Sequence, residues 1–238
     1  MIALDGPRLE PRGGPARQLV VLLHGYGADG NDLIELGRIW QQFLPDAAFV
    51  APHGHEACGQ QPAGRQWFAL TFRDLHERWT GVNAAAPVIE QFLTRELTRR
   101  QLTPASLALV GFSQGCMLSL HVGLRLGVAP AAILGYSGML VLPNDGSVEA
   151  YRAAIRGRPP VLLVHGDQDD LIPAEALFHA AQTLAAMEIP AEWHLSQGIG
   201  HGIDEEGLRH GGEFLARRLR GRGAGVPIPK FARTRGHL

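Results

Sequence analysis

Leu107-Ala108-Leu109-Val110-Gly111-Phe112-Ser113-Gln114-Gly115 is the stretch on which the fold turns. Four apolar residues without alternation suit a strand covered on both faces. Gly111 stops the run, and Met117, Leu120, Leu124 and Val128 then recur at helical spacing. Between strand and helix stands G-x-S-x-G, which by itself is a weak signal. At a strand-to-helix turn it acquires a mechanical reason. The serine occupies a strained, exposed apex, and the flanking glycines remove Cβ atoms that would clash there. The Gln114 N–H, at the start of the helix, is a candidate donor to an oxyanion.

Outward from this turn the same pattern repeats. Leu19 to Leu23, Ala47 to Ala51, Ala131 to Tyr136, Val161 to Val164 and a weaker Ala191 to Leu195 read as further strands. Ile89, Phe92, Leu93 and Leu97 predict a helix ending near Gln101, before Thr103-Pro104. Leu177, Ala181 and Leu184 predict another, as do Leu208, Phe214, Leu215 and Leu219. Strand–helix alternation with short connections implies a mostly parallel sheet with helices on both faces. One such sheet takes up residues 18–220, so the expected organisation is an irregular N-terminal segment (1–17), one α/β domain (18–220) and a basic Gly/Pro-containing tail (221–238).

Composition excludes several functions. The net charge is −1, from 22 basic and 23 acidic residues, so no nucleic-acid partner is expected. Lys230 is the sole lysine and lies in the tail, which removes a P-loop and a Schiff-base lysine within the domain. Two cysteines, Cys58 and Cys116, make neither a zinc ribbon nor a disulfide framework. Both read as reduced thiols of a cytoplasmic protein. No 18-residue apolar run suggests membrane insertion, and Met1 to Gly14 lacks the apolar region of a signal peptide. His53-x-His55 with Cys58 lacks a fourth ligand at a familiar interval, so no metal is expected there.

A serine hydroxyl needs a base. His201, in Gly198-Ile199-Gly200-His201-Gly202, follows the last strand-like run, and its glycines let the loop reach the carboxyl edge of the sheet. An imidazole base needs a carboxylate to fix its tautomer. Asp167, Asp169 and Asp170, after the Val161–Val164 run, are the candidates, and at least one should only cap a turn or helix. Serine, aspartate, histidine is the chain order of α/β-hydrolases. A second oxyanion donor should come from an early loop. His24-Gly25-Tyr26-Gly27-Ala28-Asp29 fits, with the Tyr26 N–H in that role and Asp29 or Asn31 capping the next helix.

With these segments in hand, the chain resembles the phospholipase/carboxylesterase family of small α/β-hydrolases, which includes acyl-protein thioesterases and bacterial carboxylesterases. The resemblance covers roughly Gln18 to Arg220 and rests on the Tyr26 loop, the Ser113 turn and His165-Gly166-Asp167-Gln168-Asp169-Asp170-Leu171-Ile172-Pro173. Ala51-Pro52 and Arg65-Gln66-Trp67-Phe68 fit as well. The family's G-x-x-D-x-x-V-P pattern selects Asp169. Its oxyanion donors map onto the amides of Tyr26 and Gln114. Cys116 departs from the Gly or Ala more usual there, implying a tighter pocket floor and the same mechanism. The resemblance leaves a homodimer open.

The expectation is a serine hydrolase that needs no cofactor and cleaves small acyl esters or thioesters through an acyl-enzyme. Carboxylesterase is the first reading, and acyl-protein thioesterase or lysophospholipase the alternative. A non-catalytic ligand- or protein-binding scaffold is the more distant one. Trp67, Phe68, Leu70 and Phe72 are candidate acyl-pocket residues that core packing would explain equally well. The connections Pro52–Gly81 and Tyr136–Pro160 are too short for a large cap domain, so an open, shallow site is expected.

Overall fold

The computed structural model describes residues 3–220 apart from Gln60, Pro62, Phe72, Arg73 and Leu75. Both Phe72 and the expected basic tail (221–238) therefore lie outside the described residues.

The strands are β1 (Arg8–Leu9), β2 (Gln18–Leu23), β3 (Ala47–Val50), β4 (Glu56–Ala57), β5 (Arg65–Gln66), β6 (Leu107–Phe112), β7 (Ala132–Tyr136), β8 (Val161–Gly166) and β9 (Ala191–Ser196). The helices are α1 (Gly30–Trp40), α2 (Glu77–Arg100), α3 (Gln114–Gly123), α4 (Val148–Ala153), α5 (Glu175–Ala186) and α6 (Glu205–Arg220). Seven strands form one sheet in the order β1-β3-β2-β6-β7-β8-β9, and β4 and β5 form a separate hairpin. All pairs in the large sheet are parallel except β1 with β3. This is the α/β-hydrolase fold expected from the sequence.

Alternate residues of β2 explain why its apolar run has no polar face. Leu19, Val21 and Leu23 pack in a core with Val82, Ile89 and Phe92 of α2 and with Met117 and Leu118 of α3. Val20 and Leu22 pack in the opposite core with Leu33 and Ile34 of α1 and with Phe214 and Leu215 of α6. Helices thus cover both faces, as buried parallel sheets require. A third cluster holds α5 against the sheet through Leu177, Leu184 and Leu163.

Three differences from the sequence reading have physical causes. The N-terminal segment is not wholly irregular. Arg8 and Leu9 pair with Val50 and Phe49, Leu4 is buried, and Arg8 Nη2 lies 3.3 Å from Glu96 on α2. Two residues of strand carry no periodicity to read. Helix α2 begins well before Ile89, through Gly81 and Pro87, both weak helix formers. A Cβ at Gly81 would lie 2.2 Å from the Phe68 ring, so glycine is what lets the helix pass that close. Helix α3 ends at Gly123 with Leu124 as its C-cap, and Val128, read as part of its apolar stripe, is exposed. Among the described residues no helix is long and apolar enough to cross a membrane.

Candidate active site

The Ser113 turn, the Tyr26 loop, Asp169 and His201 all follow the carboxyl ends of parallel strands, the edge where open α/β sheets bind ligands. Ser113 has φ +52° and ψ −114°. For a residue with a Cβ this is strained backbone. Its amide donates to Tyr136 O (2.9 Å), and its carbonyl accepts from Cys116 N and Met117 N, which holds the apex in place. A Cβ at Gly115 would lie 1.9 Å from Leu23 O and 2.7 Å from His24 O. The start of α3 therefore runs directly against the end of β2. Because both obstructing atoms are backbone, Gly115→Ala should destabilise by more than ~3 kcal/mol. Gly202→Ala, with nothing within 4 Å of its added carbon, should stay within ~0.5 kcal/mol of wild type. Urea denaturation of the two variants measures the contrast, and equal midpoints would contradict the packing of the turn.

The Tyr26 loop is a β-turn closed by Ala28 N donating to Gly25 O (3.3 Å), with Gly27 at φ +78° in the position that favours glycine. A Cβ at Gly25 would lie 3.4 Å from Ser113 Cβ, so this loop and the serine are in contact distance. His24 stiffens the approach. Its Nε2 accepts from Gly54 N (2.8 Å), so its Nδ1 carries the proton, 2.7 Å from Gly25 O. Burial, the largest cause, pushes its pKa below the ordinary value, which suits this neutral form. Asp29 caps α1 in a capping box with Asp32, as the sequence suggested for it.

The Gln114 side chain has a structural role that spacing could not reveal. It is fully buried. Its Oε1 accepts from Trp67 N (2.9 Å) and its Nε2 donates to Phe68 O (2.7 Å). Trp67 Nε1 in turn donates to His24 O (2.8 Å). Trp67 and Phe68, the candidate substrate-binding aromatics, are 1% and 4% exposed and sit in the core, bonded to the His24 and Gln114 segments. They tie those segments together. An apolar groove of about 240 Å³ instead runs between Met139, Leu140 and Leu142 after β7 and Pro173, Ala176 and Ala180 at the start of α5. One rim begins beside Gly138, whose added Cβ would lie 3.0 Å from Ser113 O, and the other follows Ile172, which bonds Asp169. The sequence carried no signal for this groove, because its walls are separated along the chain. Cys116 is buried against Gly135 and Gly138, and burial pushes its thiol up to about 12, so it is an inert packing group.

The three candidate aspartates separate cleanly. Asp170 is exposed. Asp167 Oδ1 accepts from Gly198 N (2.6 Å), steadying the loop that carries His201. Asp169, whose side chain has no exposed surface, lies with Oδ2 at 2.8 Å from His201 Nδ1. A carboxylate only accepts, so Nδ1 carries the proton and Nε2 the lone pair. Asp169 Oδ1 accepts from Leu171 N (3.0 Å) and Ile172 N (2.9 Å). His165, which spacing alone did not single out, adds Nε2 at 3.2 Å from Asp169 Oδ2 and donates to Ile172 O (2.7 Å). The His201 ring packs against Phe112, next to Ser113, at a centroid distance of 5.0 Å. Ser137 Oγ donates to Gly202 O (2.9 Å) and so ties the histidine loop to the end of β7. His53 accepts the Gly30 N–H at 3.1 Å, at the start of α1.

The family described as phospholipase/carboxylesterase matches residues 4–219. Esterase YpfH of Escherichia coli (strain K12) is 27% identical over 82% of this chain and 80% of its own length. Acyl-protein thioesterase 1 of Saccharomyces cerevisiae is 26% identical over 91% of this chain and 99% of its own. Among solved structures, that of esterase PE8 is 44% identical, covers 91% of this chain and 99% of its own, and superposes with a TM-score of 0.86.

Proposed function

The chain belongs to the phospholipase/carboxylesterase family, and from that premise we propose that it hydrolyses carboxylic esters or thioesters with Ser113, His201 and Asp169 as a triad. The observation that carries the reading is the pairing of buried Asp169 with His201, 2.8 Å apart, whose imidazole rests on Phe112 beside the strained serine. In this reading Ser113 Oγ attacks the acyl carbon as His201 Nε2 takes its proton. Asp169 keeps the proton on Nδ1 and stabilises the imidazolium. The Tyr26 and Gln114 amides receive the oxyanion, each worth about 3 kcal/mol of barrier. The bond from acyl carbon to leaving oxygen or sulfur then breaks, and the leaving group takes the proton from His201. Water repeats the steps on the acyl-enzyme, releasing the acid and regenerating Ser113.

The acyl chain runs in the groove between Leu142 and Ala176, whose volume of about 240 Å³ suits short or medium chains. Carboxylesterase activity on small soluble esters is the first expectation and thioesterase activity the second. Two buried thiols, Cys58 and Cys116, support a cytoplasmic location. A panel of p-nitrophenyl esters of rising chain length, run beside matched acyl thioesters, tests the reading. Ala176→Trp should fill the groove. It should lower kcat/KM for octanoyl esters by about tenfold or more, because each methylene excluded costs ~1 kcal/mol or above, and leave acetyl esters unchanged. An equal loss at every length would remove the groove from the acyl path.

A further inference from the structure

His194 on β9 and Glu206 and His210, one turn apart on α6, come together away from the triad. Among the described residues they form a group whose donor atoms all lie within 4.8 Å of one another. The two imidazoles lie face to face at a tilt of 37°, with centroids 4.3 Å apart. His194 Nε2 is buried and has no hydrogen-bond partner among the described residues. A polar atom in that state costs free energy that a ligand would return. His210 Nε2 lies 3.2 Å from Arg209 Nη2 and 3.7 Å from Glu206 Oε1. The guanidinium can only donate, so His210 Nε2 carries a lone pair. Two imidazoles and a carboxylate come together, which is the donor set of three-ligand zinc sites completed by water.

We propose that His194, Glu206 and His210 bind a divalent transition cation of the zinc class, tying β9 to α6. Zinc bonds of ~2.1 Å place tetrahedral donors about 3.4 Å apart. The three side chains, partly or fully exposed, close the remaining distance by rotamer adjustment. Arg209, whose Nη2 lies 3.2 Å from His210 Nε2 and 3.5 Å from Glu206 Oε1, gives up both and keeps Glu213, 3.1 Å away. The cation would span the ends of the segment 197–204, which carries His201. Ser196 and Asp204 already join those same ends through a hydrogen bond of 2.7 Å. The site thus acts on loop rigidity and takes no part in acyl transfer.

Equilibrium dialysis of the chelator-stripped protein against micromolar Zn²⁺ tests this. Wild type should retain about one zinc per chain and melt at a higher temperature with zinc than without. His194→Ala and His210→Gln should each weaken zinc binding by at least about tenfold and abolish the zinc-dependent rise, with circular dichroism confirming that both are folded. Absence of bound zinc in wild type, or full retention by both variants, would overturn the proposal. Neither result bears on the triad, since ester hydrolysis is not the readout.

Discussion

Ser113→Ala is expected to lower kcat on a p-nitrophenyl ester by about 10⁶-fold, the scale seen when a triad serine is removed. Folding should be nearly untouched. Ser113 is the N-cap of α3, yet its hydroxyl makes no capping hydrogen bond, so no helix contact is lost with it. Alanine adopts φ +52° with much the same strain as serine, and the expected stability change is within ~0.5 kcal/mol. A fluorophosphonate should label wild type and leave the variant unmarked. Turnover above about one percent of wild type in the alanine variant would remove Ser113 from the mechanism, and a silent scaffold would show no labelling in either protein.

Asp169→Asn should cost about 10⁴-fold in kcat, as loss of the correct imidazole tautomer does elsewhere. The local hydrogen bonds explain why an amide cannot substitute. One oxygen of Asp169 accepts from two backbone amides, and the other faces His201 Nδ1 and His165 Nε2. An asparagine has one acceptor and one donating NH₂ group. Turned one way it points the NH₂ at His201 and forces the proton to the wrong nitrogen. Turned the other way it leaves two backbone amides facing an NH₂ group. Stability should fall by ~1–3 kcal/mol as well, because the site is buried. Asp167→Asn, which alters one hydrogen bond to Gly198, should retain activity within about tenfold. Kinetics on the two variants decide between the neighbours, and a larger loss at 167 than at 169 would reverse the assignment.

His53, His55 and Cys58, where no metal was expected, lie close together along the chain. In His194, Glu206 and His210, only the Glu206–His210 interval of four belongs to a single helix, and the other imidazole comes from a strand. The same limitation applies to Trp67 and Phe68. An aromatic pair in a sequence reads equally as pocket or core, and the buried amide of Gln114 is what places them in the core.

Most of what depends on nearest neighbours in the chain was legible beforehand. Apolar runs without a polar face, glycines flanking a strained serine, and an aspartate ahead of a helix are requirements of local backbone geometry and burial, and they appear as β2, the Ser113 turn and the α1 cap. Asp167, Asp169 and Asp170 are chemically alike, and a turn of backbone between adjacent residues sends each in a different direction. Only the folded chain, by burying Asp169 beneath His201 and His165 while pinning Asp167 to Gly198, separates them. Side-chain direction and burial are properties of the packed whole, and for that reason the carboxylate beside His201, the apolar groove between Leu142 and Ala176 and the His194 cluster became visible in the tertiary structure.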